Sequence, residues 1–130
     1  MLQGQITSCP NSIAQYASLA AIQGDGSDIE YMRAAFEERR DYMVERLNTI
    51  PGIHCKKPSG AFYVFPEIRE AVEKMGMRGA DELVEYLLEK SSVAAVSGTA
   101  FGAEGFLRLS YATSMEEIKE GLDKIESLLK

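Results

Sequence analysis

Residues 105–114, GFLRLSYATS, have the alternation of a buried strand with one permanent charge in it. Strand side chains point alternately to the two faces of a sheet, which places Leu107, Leu109 and Tyr111 on one face and Arg108 on the other. A guanidinium is always protonated, and its planar fork of N–H donors fits a carboxylate or a phosphate. The stretch alone leaves two interpretations open: Arg108 binds an anion, or it lies on an ordinary solvated face.

Length and composition predict one ordinary folded domain of 130 residues, with 45% hydrophobic and 26% charged residues. The net charge of −6 disfavours nucleic acid as a partner. We expect a cytoplasmic protein without a membrane partner, because the sequence contains no apolar run of membrane-spanning length and no signal-peptide pattern at its start. Cys9, Cys55 and His54 lack metal-ligand spacing, so we expect reduced thiols and no metal site.

The first half of the chain predicts two helices. A short one spans about residues 12–23, between a cap at Asn11 or Ser12 and the glycines that follow. A long one starts at a capping box formed by Ser27 and Glu30 and continues to Pro51. Its apolar residues recur at helical spacing and are Met32, Phe36, Met43, Leu47 and Ile50.

The second half predicts alternating strands and helices. Residues 53–57 and 60–66 are expected to be strands that pair as a hairpin, and residues 91–97 a short apolar strand. Residues 79–90 are expected to form a helix, and a capping box of Ser114 and Glu117 starts the last one. The apolar stripes of these two helices are Leu83, Val84, Leu87 and Leu88, and Ile118, Leu122, Ile125 and Leu129.

These elements predict an α+β fold. Residues 28–130 are expected to form a two-layer unit in which helices cover a short, mostly antiparallel sheet. Residues 1–27 are expected to be the end of a different structural unit. The glycine-rich stretch SGTAFGAEG, residues 97–105, lacks the ending of a phosphate-binding P-loop and precedes a strand, so a flexible turn beside Arg108 is favoured. No set of nucleophile, base or metal ligands is complete in this chain.

Nearly the whole chain resembles the C-terminal third of a fold-type-I, pyridoxal-phosphate-dependent aminotransferase of class I/II, and is most similar to the aspartate aminotransferase subgroup. Residues 7–24, TSCPNSIAQYASLAAIQG, resemble the end of the family's large cofactor domain. Residues 56–66, KKPSGAFYVFP, resemble its first small-domain strands, and residues 97–114, SGTAFGAEGFLRLSYATS, its substrate-carboxylate segment. The resemblance assigns residues 1–27 to the large domain and 28–130 to the small one.

The resemblance also implies functional roles. Arg108 binds the α-carboxylate of the amino acid substrate, and Ser97, Gly98 and Phe101 line the entrance. The full-length enzyme is expected to be a homodimer that uses pyridoxal 5'-phosphate to transfer an amino group between an amino acid and a 2-oxo acid. Within the family, the sequence motifs GAFY and RLSYATS favour a member that acts on aspartate or on a broad range of amino acids.

The resemblance further implies that the catalytic residues lie outside this chain. None of the seven lysines stands in the family's Schiff-base context, so the chain is expected to be a fragment that has no catalytic residue, binds no cofactor and is inactive alone. Residues 1–32 contain no Lys or Arg, so other residues would hold the distal carboxylate of aspartate.

Two alternative functions remain. An aminotransferase-like domain can sense amino acids in a regulatory protein, and an upstream helix-turn-helix would indicate that function. A purely structural α+β module would leave Arg108 an ordinary surface residue. Burial of Arg108 in a concave face would argue against the structural module.

Overall fold

The computed structural model describes residues 2–7 and 9–130. These residues contain six α-helices, one 3-10 helix and three short strands, joined by turns and loops. The chain divides into two compact units, Met1–Arg33 and Ala34–Lys130. The boundary lies within helix α3 (Ser27–Leu47).

The first unit contains helices α1 (Leu2–Ile6) and α2 (Ser12–Gln23). The side chain of Asn11 caps α2 by accepting from the backbone N–H of Ala14 at 2.8 Å. Gly24 ends α2, where its N–H donates to Ala20. No residue of α2 is buried, although Ile13, Tyr16 and Ile22 are large and apolar.

The start of α3 differs from the predicted capping box. Ser27 is the first residue within the helix, and the Asp25 carboxylate accepts from both its N–H (3.0 Å) and its hydroxyl (2.7 Å). Glu30 instead forms an ion pair with Arg33 at 2.6 Å, one turn further along. The prediction was wrong because an upstream acidic side chain satisfies the Ser27 N–H.

In the second unit, three strands form an antiparallel sheet in the order β1-β3-β2, which confirms the predicted α+β fold. The strands are β1 (Tyr63–Val64), β2 (Val96–Ser97) and β3 (Leu107–Ser110). Tyr63 lies opposite Ser110, and Val96 lies opposite Arg108. The last of these strands in the chain is therefore central in the sheet.

Helices cover the apolar face of this sheet. They are α4 (Arg69–Lys74), α5 (Ala80–Ser91), α6 (Met115–Leu129) and the second half of α3. Val64, Leu107, Leu109 and Tyr111 are buried beneath them, which matches the predicted alternation along β3. The four predicted residues of the α6 stripe are also buried: Ile118, Leu122, Ile125 and Leu129.

The other two predicted stripes are only partly buried. In α5, Leu83 and Leu87 enter the core, but Leu88 is 55% exposed because it lies one residue further around the helix. In α3, Met43 and Leu47 are buried, whereas Met32 is 50% exposed. Met32 belongs to the first unit, so the core of the second unit begins further along α3 than the periodicity predicted.

The predicted hairpin between residues 53–57 and 60–66 does not form. His54 makes a single antiparallel bridge with Glu67, and its neighbour Cys55 pairs with a side chain instead. The amide of Asn48 accepts from the N–H of Cys55 and donates to its carbonyl, each at 2.9 Å. Because Asn48 satisfies both backbone groups of Cys55, no partner strand is needed there.

Burial also raises the pKa of the Cys55 thiol to about 11.

Ser114 caps helix α6, as predicted: its hydroxyl accepts from the backbone N–H of Glu117 at 3.2 Å. Arg46 of α3 forms ion pairs with Asp123 and Glu126 of α6 and so joins the two helices. Hydrogen bonds from Arg46 and Lys130 hold the pKa of Glu126 below its usual value. Within the described ranges, no helix has the length and apolar character to cross a membrane.

Candidate functional site

The candidate site is the sheet face opposite the helices, where β3 presents Arg108. The flanking residues Leu107 and Leu109 are buried in the core, while Arg108 is half-buried on the other face. Pairing on both sides fixes the backbone of β3, so the direction of the Arg108 side chain is set by the sheet.

Two aromatic rings flank the Arg108 guanidinium. Its central carbon lies over the Tyr63 ring, 4.4 Å from the centroid, and over the Phe101 ring, 4.8 Å from the centroid. A guanidinium over a ring face is attracted by the negative face of the ring. Tyr63 is a diagonal neighbour of Arg108 across the β1–β3 pair, a distance that aromatic side chains reach.

The Arg108 side chain makes no ion pair or hydrogen bond with any residue in the ranges 2–7 and 9–130. The two ring contacts bring the central carbon of Arg108 over the ring faces, while its N–H groups, which lie in the guanidinium plane, donate to no described residue. The fork of donors is therefore available to an anion such as a carboxylate.

The loop between β2 and β3 brings Phe101 to Arg108. It begins with a 3-10 helix (Gly98–Phe101) that Ser97 caps by accepting from the N–H of Thr99 at 3.2 Å. Gly98 is buried, and a Cβ there would lie 2.3 Å from the carbonyl oxygen of Ala103. Only glycine allows this close approach, so the loop folds back against β3.

The segment before β1 is held in an unusual conformation. Ala61 has φ of 63°, in the left-handed region that non-glycine residues rarely adopt. The hydroxyl of buried Tyr111 donates to the Ala61 carbonyl at 3.0 Å, and the N–H of Tyr111 donates to Phe62 at 2.9 Å. Burial raises the pKa of Tyr111. These bonds fix the turn that leads into Tyr63.

Of the residues predicted from the sequence, Phe101 lies beside Arg108, while Ser97 and Gly98 shape the loop that carries it. Their predicted role at an entrance stays a prediction. Sequence reasoning missed Tyr63 and Ala61. The alternation of β1 places Tyr63 on the same face as Arg108 once the strand register is known, but register is not visible in the sequence.

Comparison with known proteins identifies the family. Residues 1–125 match the family described as aminotransferase class I and II. This chain belongs to the class I and II aminotransferases. It is 46% identical to an aspartate/prephenate aminotransferase of Nitrosomonas europaea over 98% of its length and 34% of that protein. It is also 46% identical to an aspartate aminotransferase of Geobacillus stearothermophilus, over 98% of the chain and 33% of that protein.

Solved aminotransferase structures share the fold. The crystal structure of the aspartate aminotransferase from Rhizobium meliloti matches with a TM-score of 0.88 and 38% identity, over 98% of this chain and 33% of that one. The α+β arrangement is therefore that of fold-type-I aminotransferases. The chain spans about a third of the length of the curated relatives it matches (34% and 33%).

The family implies pyridoxal phosphate, and the lysines of this chain do not fit its attachment. None is buried, and several are engaged elsewhere: Lys57 pairs with Asp41 at 2.9 Å, Lys124 with Glu120 at 2.7 Å. The lysines are Lys56, Lys57, Lys74, Lys90, Lys119, Lys124 and Lys130. Within the described ranges no group of His, Cys, Asp and Glu side chains is arranged to hold a metal ion.

Proposed function

We propose that this chain is the substrate-clamping, C-terminal part of a pyridoxal-phosphate-dependent aminotransferase that transfers an amino group between an amino acid and a 2-oxo acid. Its role is to bind the α-carboxylate of the amino acid through Arg108. The observation that carries the proposal is the Arg108 guanidinium, flanked by two rings and with its donors unpaired in the described residues. Membership of the aminotransferase family supports it.

In this proposal Arg108 orients the substrate. Two parallel N–H···O bonds to a carboxylate fix both its position and its plane, which a single point charge does not do. Orientation of reacting groups contributes strongly to rate, because it removes rotational freedom before the chemical step. The rings of Tyr63 and Phe101 form an apolar border beside the guanidinium.

Aspartate, or a broad range of amino acids that includes it, is the proposed substrate class. Relatives with this name support it. Because residues 1–32 contain no Lys or Arg, we expect residues outside this chain to bind the distal carboxylate. We also expect the reactive lysine to be supplied from outside it, so the 130-residue chain alone should not transaminate. A homodimer and a cytoplasmic location stay predictions from the sequence.

Replacement of Arg108 tests this function in the aminotransferase that contains the chain. A hydrogen bond to a charged group contributes about 1.5–3 kcal/mol, so loss of a bidentate pair in Arg108→Ala should lower kcat/KM for amino acids roughly 10²- to 10⁴-fold. Arg108→Lys should recover only part of the loss, because an ammonium lacks the planar fork.

The matched measurement uses the amine that corresponds to the amino acid without its α-carboxylate. Turnover of this amine should be nearly the same in the wild type and in both variants, because it never used the contact. Equal losses on the amino acid and the amine would instead show that Arg108 supports the fold, and would contradict the proposed function.

A further inference from the structure

Arg108 differs from four of the five other arginines of the second unit in how its side chain is held, and the fifth, Arg39, likewise lies over an aromatic ring. Arg40, Arg46, Arg69 and Arg78 each lie within 4.0 Å of a carboxylate oxygen. Arg108 has no such partner among residues 2–7 and 9–130 and contacts the faces of Tyr63 and Phe101 instead. The long stem of an arginine leaves the plane of its guanidinium free unless neighbours restrict it.

We infer that Tyr63 and Phe101 are positioning residues that fix the plane of the Arg108 guanidinium for the substrate carboxylate. This inference rests on the proposed function. A carboxylate neighbour would also immobilise Arg108, but it would occupy the N–H donors that the substrate needs. An aromatic ring holds the flat face of the cation and leaves the donors at its edge free.

Both rings are fixed by parts of the structure other than Arg108. Tyr63 belongs to β1, whose register sets it opposite Ser110, and its ring contacts Phe62 at 4.2 Å between centroids. The position of Phe101 is set by the 3-10 helix, and its ring makes an edge-to-face contact with Phe65, with 6.1 Å between centroids and 78° between planes. The rings are therefore in place before a substrate binds.

The support for Phe101 extends across the sheet. Phe65 stacks on Phe106 with 5.3 Å between centroids and 7° between planes, and the guanidinium of Arg69 lies over Phe106 at 5.5 Å. Arg69 in turn donates to the carbonyl of Glu104 in the loop at 3.1 Å. This connected row of side chains supports Phe101 through contacts that do not involve Arg108.

The test measures kcat/KM in the aminotransferase that contains this chain, for an amino acid and for its amine. The variants Phe101→Leu and Tyr63→Leu each remove a ring and keep apolar bulk. Each should lower kcat/KM for the amino acid roughly 3- to 30-fold and leave kcat/KM for the amine unchanged. Phe101→Tyr and Tyr63→Phe keep the ring and should restore the value to within about twofold. In an Arg108→Ala background, neither leucine change should cause a further loss.

Phe36→Leu is the matched control, because Arg39 lies over the Phe36 ring at 5.6 Å without a proposed role in binding. It should affect the amino acid and the amine equally. A second readout is independent of activity: in the ¹⁵N-labelled 130-residue chain, the Nε–Hε group of Arg108 should be rigid in the wild type and become mobile in Phe101→Leu.

The outcomes separate this inference from the proposed function. If Arg108→Ala impairs the amino acid selectively but the leucine variants do not, or impair the amine as strongly, the positioning role is overturned and the function stands. If Arg108→Ala impairs both substrates equally, the function fails and the positioning role fails with it, whatever the mobility of Nε–Hε. A mobile Arg108 in the wild-type chain would also overturn the positioning role.

Discussion

At Gly98, the lack of a side chain allows the loop of the candidate site to close against β3. A Cβ at this position would lie 2.3 Å from the Ala103 carbonyl oxygen and 2.7 Å from that of Phe106. Both contacts are with backbone atoms, which cannot rotate away as the end of a flexible side chain can. The N–H of Gly98 also donates to the Phe106 carbonyl at 2.8 Å.

Gly98→Ala should therefore lower the free energy of unfolding by about 1–3 kcal/mol, the usual cost of forcing an extra methyl group into a packed site. Urea unfolding of the 130-residue chain measures this change. Gly121→Ala is the control: Gly121 lies inside α6, and a methyl group there would meet no atom within 4 Å, so the same change should stabilise the helix by about 1 kcal/mol. The prediction fails if the two variants are equally stable.

The residues of the site were predictable to different degrees. Alternation alone placed Arg108 on the face opposite Leu107 and Leu109, and the structure agrees. Tyr63 could not be predicted, because its contact with Arg108 depends on a register between strands that are far apart in the chain. The positive φ of Ala61 has no signal in the sequence, since alanine gives no indication of a left-handed conformation.

Among the elements, helix α6 could be predicted from its own residues alone. Its cap and its apolar stripe are both encoded within residues 114–129, so the sequence predicts the start and the buried face together. The hydroxyl of Ser114 satisfies one of the free N–H groups of the first turn. The pKa of Glu116 is lowered by its own backbone N–H and by Ser114, which indicates that this turn favours negative charge.

Ser114→Ala should destabilise the chain by about 1 kcal/mol, because the capped N–H loses its acceptor. Thermal unfolding followed by circular dichroism measures the effect. Ser127→Ala is the matched control on the same helix: the Ser127 hydroxyl only donates to the Asp123 carbonyl, which is already in the helix, so little change is expected. If Ser127→Ala lowers the stability of the chain as much as Ser114→Ala does, the capping bond of Ser114 contributes no stability of its own.

Element predictions failed where a distant or competing side chain decided the outcome. The Asp25 carboxylate accepts from the Ser27 N–H, the role expected of Glu30 in the predicted capping box, and the Asn48 amide took the place of a strand beside Cys55. Each of these side chains offers the backbone a partner that regular structure would otherwise supply. Periodicity describes which residues share a face, but it does not show which polar group will satisfy a given N–H.

For the whole molecule, the two units differ in burial. Helices α2 and α5 both have 12 residues, yet α2 contains no buried residue whereas Ala80, Leu83 and Leu87 of α5 are buried. Helices of this length are marginal in water without a packed face. The division into a large-domain end and a small domain stays a prediction.

Hydrogen exchange of the 130-residue chain should reveal the difference in stability. The amides of α2 should exchange roughly 100-fold faster than those of α5, because opening an unburied helix exposes no core. Mass spectrometry or NMR after transfer to D₂O measures both helices in one sample, so α5 serves as the internal control of equal length. Equal protection of α2 and α5 would show that α2 is stabilised by contacts in solution.

The central position of β3 in the sheet affects the order in which the chain becomes structured during synthesis. Among residues 2–7 and 9–130, strands β1 and β2 pair with β3 alone, and β3 follows them in the sequence. At roughly 5–20 residues per second, the ribosome makes Val64 several seconds before Leu109. During that interval β1 has no strand to pair with. Emergence of Leu107–Ser110 therefore commits the sheet to form, and a pause in translation just before it would prolong the stage most prone to aggregation.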